Sequence, residues 1–197
     1  MVIKIAITGG IGSGKSLVLQ CAKELGYPVF SCDEIYKEIS QTVDFTKKIE
    51  KFFPSCVKNN IIDKKMLAGV VFNNKEQLEL LNAISHPIIM DTLHKKMENC
   101  GNKIAFAEVP LLFEGGYEKD FHETIFVKRN IEERIKAIIQ RDKTDKESVL
   151  KRIHSQFNPE SKEGAEKLKA TKIFFIDNNL DFEHIKSQLK NFLDNHV

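Results

Sequence analysis

The stretch Val2 to Leu25, VIKIAITGGIGSGKSLVLQCAKEL, decides how the rest of the chain is read. Val2 to Thr8 is a short, mostly β-branched apolar run that stops at Gly9, the pattern of a buried strand in a parallel sheet. Ser16 to Leu25 carries apolar residues at helical spacing and ends before Gly26, which suits a helix C-cap. Between them lies GGIGSGKS, in which Gly9, Gly14, Lys15 and Ser16 fall at the spacing of a phosphate-binding loop, between a strand and a helix as that motif requires. Glycines let the backbone curl so that successive N–H groups face phosphate oxygens, and the helix N-terminus adds partial positive charge. Lys15 then reaches the β and γ phosphates, and the Ser16 hydroxyl ligates Mg²⁺.

Working outward, Pro28 to Cys32 reads as a second strand, and Lys103 to Val109, Thr124 to Val127 and Lys172 to Ile176 as three more. Strands alternating with helical segments predict a parallel sheet covered by helices on both faces. The interval from Asp33 to Lys103 far exceeds what a crossover needs. Its helical patterning, over Asp33 to Ser40, Thr42 to Phe53, Lys64 to Phe72 and Lys75 to Asn99 with a possible bend at Pro87, predicts a helical insertion without strands. Such helices either pack without a role of their own or form a lobe for a second substrate.

All four arginines, Arg129, Arg134, Arg141 and Arg152, fall within 24 residues of a chain that has 26 lysines. They lie on two charged helical segments, Ile131 to Gln140 and Lys146 to Gln156, joined by a turn at Asp142 to Asp145. A solvated helical pair accounts for this pattern; so does a lid that carries forked guanidinium groups to a polyphosphate. Two acids stand at expected strand ends. Glu108 is an ordinary terminal acid or a support for a metal's waters, and Asp33 is a helix N-cap, a carboxylate facing the phosphate loop, or both.

The whole composition limits the alternatives. The 197 residues are 42% apolar and 29% charged, which fits one globular domain rather than a disordered chain. Thirty basic and twenty-eight acidic residues leave a formal charge of +2, too little for a protein that coats nucleic acid. Three tyrosines and no tryptophan offer few stacking platforms, although fourteen phenylalanines are present. Cys21, Cys32, Cys56 and Cys100 form no CxxC pair and read as reduced thiols. The N-terminus resembles neither a signal peptide nor a membrane span, so a cytoplasmic protein without membrane association is expected. The base-reading NKxD and the DxxG of GTPases are missing from their expected positions, which weighs against a nucleotide-dependent switch.

TGGIGSGKS, the acid at Asp33, LAGVVF at Leu67 to Phe72, His86-Pro87, VPLLFE at Val109 to Glu114, QRD at Gln140 to Asp142 and IDNN at Ile176 to Asn179 occur in the order seen in dephospho-CoA kinases. The chain resembles that family over nearly its whole length. The resemblance implies an α/β, P-loop kinase-like parallel β-sheet flanked by helices, with a helical acceptor-binding insertion and a helical lid. In this scheme one domain spans residues 1–197, with a core of about 1–33, 103–128 and 157–197, an insertion of about 34–102 and a lid of about 129–156. The implied reaction is transfer of the γ-phosphoryl group of ATP to the ribose 3′-hydroxyl of dephospho-CoA, giving coenzyme A and ADP. Another small-molecule or nucleoside monophosphate kinase of the same fold is the alternative.

Residue by residue, the resemblance assigns catalysis to Asp33 as general base, Lys15 and the lid residue Arg141. ATP falls to Gly10, Ile11, Gly12, Ser13, Gly14, Lys15, Ser16 and Asn178, with Asn179 in the same turn beside the adenine, where a loop cap is the alternative reading of both asparagines, and Mg²⁺ falls to Ser16. The acceptor falls to Lys64, Leu67, Phe72, His86, Leu111 and Glu114, although His86 is equally well a packed, hydrogen-bonded histidine. The expected partners are ATP and dephospho-CoA, with no nucleic acid and no membrane, in a monomer or weak homo-oligomer. Four positions depart from the family's habit. Ser31 stands where a first acid is common, Lys37 and Lys64 replace arginine, and Leu180 replaces a glycine after IDNN.

Overall fold

Short β-branched runs separated by amphipathic segments give an α/β chain, seen in a computed structural model that describes residues 1–72 and 74–194. Its strands are β1 (Ile3–Thr8), β2 (Val29–Ser31), β3 (Val57–Lys58), β4 (Ile61–Ile62), β5 (Ile104–Glu108), β6 (Glu123–Lys128) and β7 (Ile173–Asp177). The helices are α1 (Lys15–Glu24), α2 (Cys32–Ile39), α3 (Val43–Phe52), α4 (Lys64–Phe72), α5 (Lys75–Glu98), α6 (Ile131–Asp142), α7 (Lys146–His154), α8 (Lys162–Lys169) and α9 (Phe182–Leu193). The chain divides into two compact units, Met1–Phe30 with Met97–Val197, and Ser31–Lys96.

The first unit is built on a five-stranded parallel sheet in the order β2-β5-β1-β6-β7. β1 lies at its centre, with Ile7 opposite Glu108 of β5 and opposite Ile125 of β6. Ile5, Ala6 and Ile7 are fully buried, as expected of a strand covered on both faces. Val18 and Cys21 of α1 and Ile185, Leu189 and Phe192 of α9 join Ile5, Ile7, Phe106 and Ile125 in one core. Burial also pushes the Cys21 thiol up to about 11, so it is a packing group at neutral pH. The five expected strands are all present, each within about two residues of its expected limits.

The second unit contains α2, α3, α4 and most of α5. Thr42 caps α3 by accepting from the Phe45 N–H at 3.3 Å, and Tyr36 meets Phe45 edge-on with ring centroids 6.0 Å apart. Lys75–Glu98 is one continuous helix with Pro87 inside it. Three features differ from the sequence reading. β3 and β4 form an antiparallel hairpin inside the insertion, where no strand is expected. Asn59 and Asn60 turn it with φ of 51° and 60°, a connection favoured by Asn, but two-residue strands are too short to show alternation. Asp33 neither closes β2 nor caps α2. The strand ends at Ser31, which takes the extended cap position with φ −133°, and Asp33 and Glu34 fill the first helical turn, where carboxylates complement the helix dipole. Helices α8 and α9 were not anticipated either; both are capped by side chains, Ser161 accepting from Gly164 and Asp181 from His184.

Candidate active site

The loop after β1 is a curl of backbone that other elements hold from outside. Gly14 takes φ 92° as the residue before α1, a left-handed conformation that L side chains rarely adopt. A Cβ there would also strike the Asn178 side-chain amide, and one at Gly10 would strike the Arg134 guanidinium. At Gly14 the turn and the close approach both require glycine, whereas at Gly10 a methyl would displace only the flexible tip of Arg134.

The carbonyls of the loop meet protein donors one after another. Lys15, at 9% exposure, donates from Nζ to the Gly9 oxygen at 3.0 Å and the Gly10 oxygen at 3.3 Å. Arg134 of α6 donates from Nε to the Ile11 oxygen at 2.9 Å. Arg129, just after β6, donates to the Gly12 oxygen at 3.3 Å, and Asn178, just after β7, donates from Nδ2 to the Ser13 oxygen at 2.7 Å. The Ile11 N–H in turn donates to the Gln156 side-chain oxygen at 2.7 Å. With the carbonyls drawn to these donors, the start of α1 presents amide edges to an anion. No acid occupies the first turn of α1, and Lys15, Arg129 and Arg134 gather three cations at the loop. Burial lowers the Arg134 pKa, yet a guanidinium stays protonated at neutral pH.

Helices α6 and α7 form a hairpin with its own small core of Ile135, Ile138 and Val149, against which Ile11 of the loop also packs. The helical pair therefore rests on the phosphate loop through an apolar contact besides Arg134. Arg141, in the last turn of α6, lies against Asp142, with Nε to Oδ1 at 2.7 Å, and its side chain is 62% exposed. Arg152 of α7 reaches the same carboxylate at 2.6 Å. The two guanidiniums, Arg141 foremost, hold the Asp142 carboxyl well below the usual carboxylate range. Of the four clustered arginines, Arg129 and Arg134 touch the loop, whereas the two others pair within the helical hairpin. The clustering was visible in sequence; which two point inward depends on packing.

The remaining expected residues are placed as follows. Asn178 is 5% exposed, and its amide braces the loop at Ser13. Asn179 accepts from the Asn130 N–H at 2.7 Å, tying the turn after β7 to the start of α6. Glu108 ends β5 beside β1. Glu114 accepts from the Phe157 N–H at 2.8 Å, and Leu111 lies in the same turn after β5, its oxygen bonded to the Gly115 N–H. In the second unit Lys64 is exposed, Phe72 is 80% exposed and Leu67 is 4% exposed. His86 is half-buried, which lowers its pKa and favours the neutral imidazole. Among the described residues no three His, Cys, Asp or Glu side chains gather as a metal cage. Ser16, the expected metal ligand, follows Lys15 in the first turn of α1 and is exposed. Sequence reasoning missed Gln156 and underrated Arg134, since neither belongs to the glycine-rich motif.

Comparison with known proteins gives the family and fold of the chain. A family model described as dephospho-CoA kinase matches residues 3–183. A dephospho-CoA kinase of Fusobacterium nucleatum is 35% identical over 192 residues, covering 96% of each chain. The crystal structure of a Thermus thermophilus protein superposes with a TM-score of 0.82 at 31% identity, covering 100% of this chain and 98% of that one. A dephospho-CoA kinase from Campylobacter jejuni gives a TM-score of 0.70 at 30% identity, with coverage of 100% and 98%. A glycine loop braced by arginine and asparagine, on a sheet of this order and in a chain matched along nearly its full length, leads to one assignment: the chain belongs to the dephospho-CoA kinase family.

Proposed function

We propose that the loop from Gly10 to Ser16 cradles the phosphates of ATP and that the chain transfers the γ-phosphoryl group to the ribose 3′-hydroxyl of dephospho-CoA, forming coenzyme A and ADP. The observation that carries the reading is the outward engagement of the loop carbonyls by Lys15, Arg134, Arg129 and Asn178, which leaves the start of α1 as an anion site.

Catalysis in this reading is positioning and charge neutralisation, since the phosphoryl group needs little covalent help. Lys15 exchanges loop carbonyls for phosphate oxygens. Ser16 would hold a Mg²⁺ ion brought with the nucleotide, and that ion would supply neutralisation of phosphate charge. Arg141, seven residues beyond Arg134 on the same helix, adds charge over the transferring phosphate. Asp33 accepts the proton of the attacking hydroxyl. Acceptor contacts are assigned to Lys64, Leu67, Phe72, His86, Leu111 and Glu114, with Asn178 behind the nucleotide loop and Asn179 in the turn beside the base. In this reading the protein works in the cytoplasm as a monomer or weak homo-oligomer. No helix among the described residues is long and apolar enough to cross a membrane.

The test is a panel of acceptors offered with Mg²⁺ and ATP: dephospho-CoA, nucleosides and nucleoside monophosphates. Phosphorylation of dephospho-CoA at the ribose 3′ position, in strong preference to the others, is expected. Preference for a monophosphate would replace this reading with that of a nucleotide kinase.

A further inference from the structure

The segment that leaves α7 crosses two functional loops within three residues. Gln156 takes the Ile11 N–H of the phosphate loop at 2.7 Å, a contact between positions 145 apart in sequence. The next residue, Phe157, donates its N–H to the Glu114 carboxylate at 2.8 Å and stacks on Phe113, with ring centroids 4.4 Å apart and planes 20° from parallel. Glu114 and Phe113 belong to the turn after β5, the VPLLFE motif. A strap thus runs from the phosphate loop, through Gln156 and Phe157, to that turn.

We propose that Gln156 and Glu114 are positioning residues for the nucleotide, holding the crest of the phosphate loop in its cradle shape without touching ATP themselves. Three observations point the same way. The Ile11 amide is engaged by a side chain rather than by the loop's own backbone, so the crest owes this contact to the strap. An anionic acceptor on a backbone N–H is among the stronger hydrogen bonds, which suits Glu114 as the far anchor. Stacking of Phe157 on the buried Phe113 sets where Gln156 can stand. Glu114, assigned above to the acceptor, then also acts on the nucleotide side by holding Phe157. The inference rests on the reading of this loop as an ATP site.

The experiment measures binding of a non-hydrolysable ATP analogue with Mg²⁺, in the absence of acceptor, by calorimetry, together with hydrogen exchange at the Ile11 amide in the free protein. Gln156→Leu and Glu114→Ala are each expected to weaken analogue binding about tenfold, the effect of losing one well-formed hydrogen bond at a preorganised site. Gln156→Leu should also speed Ile11 exchange. Glu114→Gln, which keeps an accepting oxygen for Phe157, should stay within about twofold of wild type, and the double variant Glu114→Ala with Gln156→Leu should be little worse than the stronger single, because both break one strap. Glu114→Gln and Gln156→Leu preserve side-chain size, so they remain readable if Glu114→Ala does not fold. Unchanged analogue binding in Gln156→Leu, or equal damage from Glu114→Gln and Glu114→Ala, overturns the strap alone. Wild-type protein that fails to bind the analogue overturns the ATP reading and the strap's role with it.

Discussion

Asp33 and Gly14 separate chemistry from geometry at the scale of single residues. Asp33 sits in the first turn of α2. If it takes the proton of the acceptor hydroxyl, Asp33→Asn lowers kcat by about 10² to 10⁴, the range for loss of one general base, and leaves ATP affinity nearly unchanged. Steady-state kinetics beside ATP titration measure both quantities, and near-full turnover would remove Asp33 from the mechanism. Gly14→Ala is expected to do the reverse. Its methyl meets the Asn178 amide and the backbone is left-handed at that position, so ATP binding is lost first, as seen by the same titration.

At the scale of elements, the phosphate loop is a joint product of β6, β7, α6 and the segment after α7. Asn178 is the clearest case, because it stands two residues before an exposed leucine, looks like a loop residue in sequence, and is nonetheless buried against Ser13. Asn178→Ala leaves the Ser13 carbonyl without that donor, at a cost of about 1–3 kcal/mol. Chemical denaturation should show the loss as a lower midpoint with an unchanged slope, accompanied by weaker ATP binding. Asn178→Ser, which retains a shorter donor, should recover part of it. Leu180, at 67% exposure, takes no part in this bracing.

For the whole molecule, pH acts on stability through His86. Burial lowers its pKa in the folded protein below the ordinary 6.5. Its neutral form is therefore favoured by folding, and the contribution is present above pH 6.5 and is lost as pH falls through the folded value. Thermal melting between pH 7.5 and pH 5 should show a declining Tm in the wild type and a shallower decline in His86→Gln. A Tm that falls equally in both would assign the pH dependence to other groups.

Much of this was legible in the chain itself. GGIGSGKS fixes the conformation of a loop because only glycine tolerates those angles and contacts, and the buried β-branched run before it can be satisfied only inside a sheet covered on both faces. Periodicity likewise exposed α2, α3, α6 and α7, since an amphipathic helix writes its buried face into its own residues. The β3–β4 hairpin was hidden, because two-residue strands are defined by partners rather than by pattern. The split of the arginines, Arg129 and Arg134 on the loop, Arg141 and Arg152 on Asp142, was hidden too, as were the bonds from Gln156 and Asn178 to residues 145 and 165 positions away. Those contacts are made by side chains reaching between elements, and local sequence holds no record of which elements the folded sheet and its helices bring within hydrogen-bond reach.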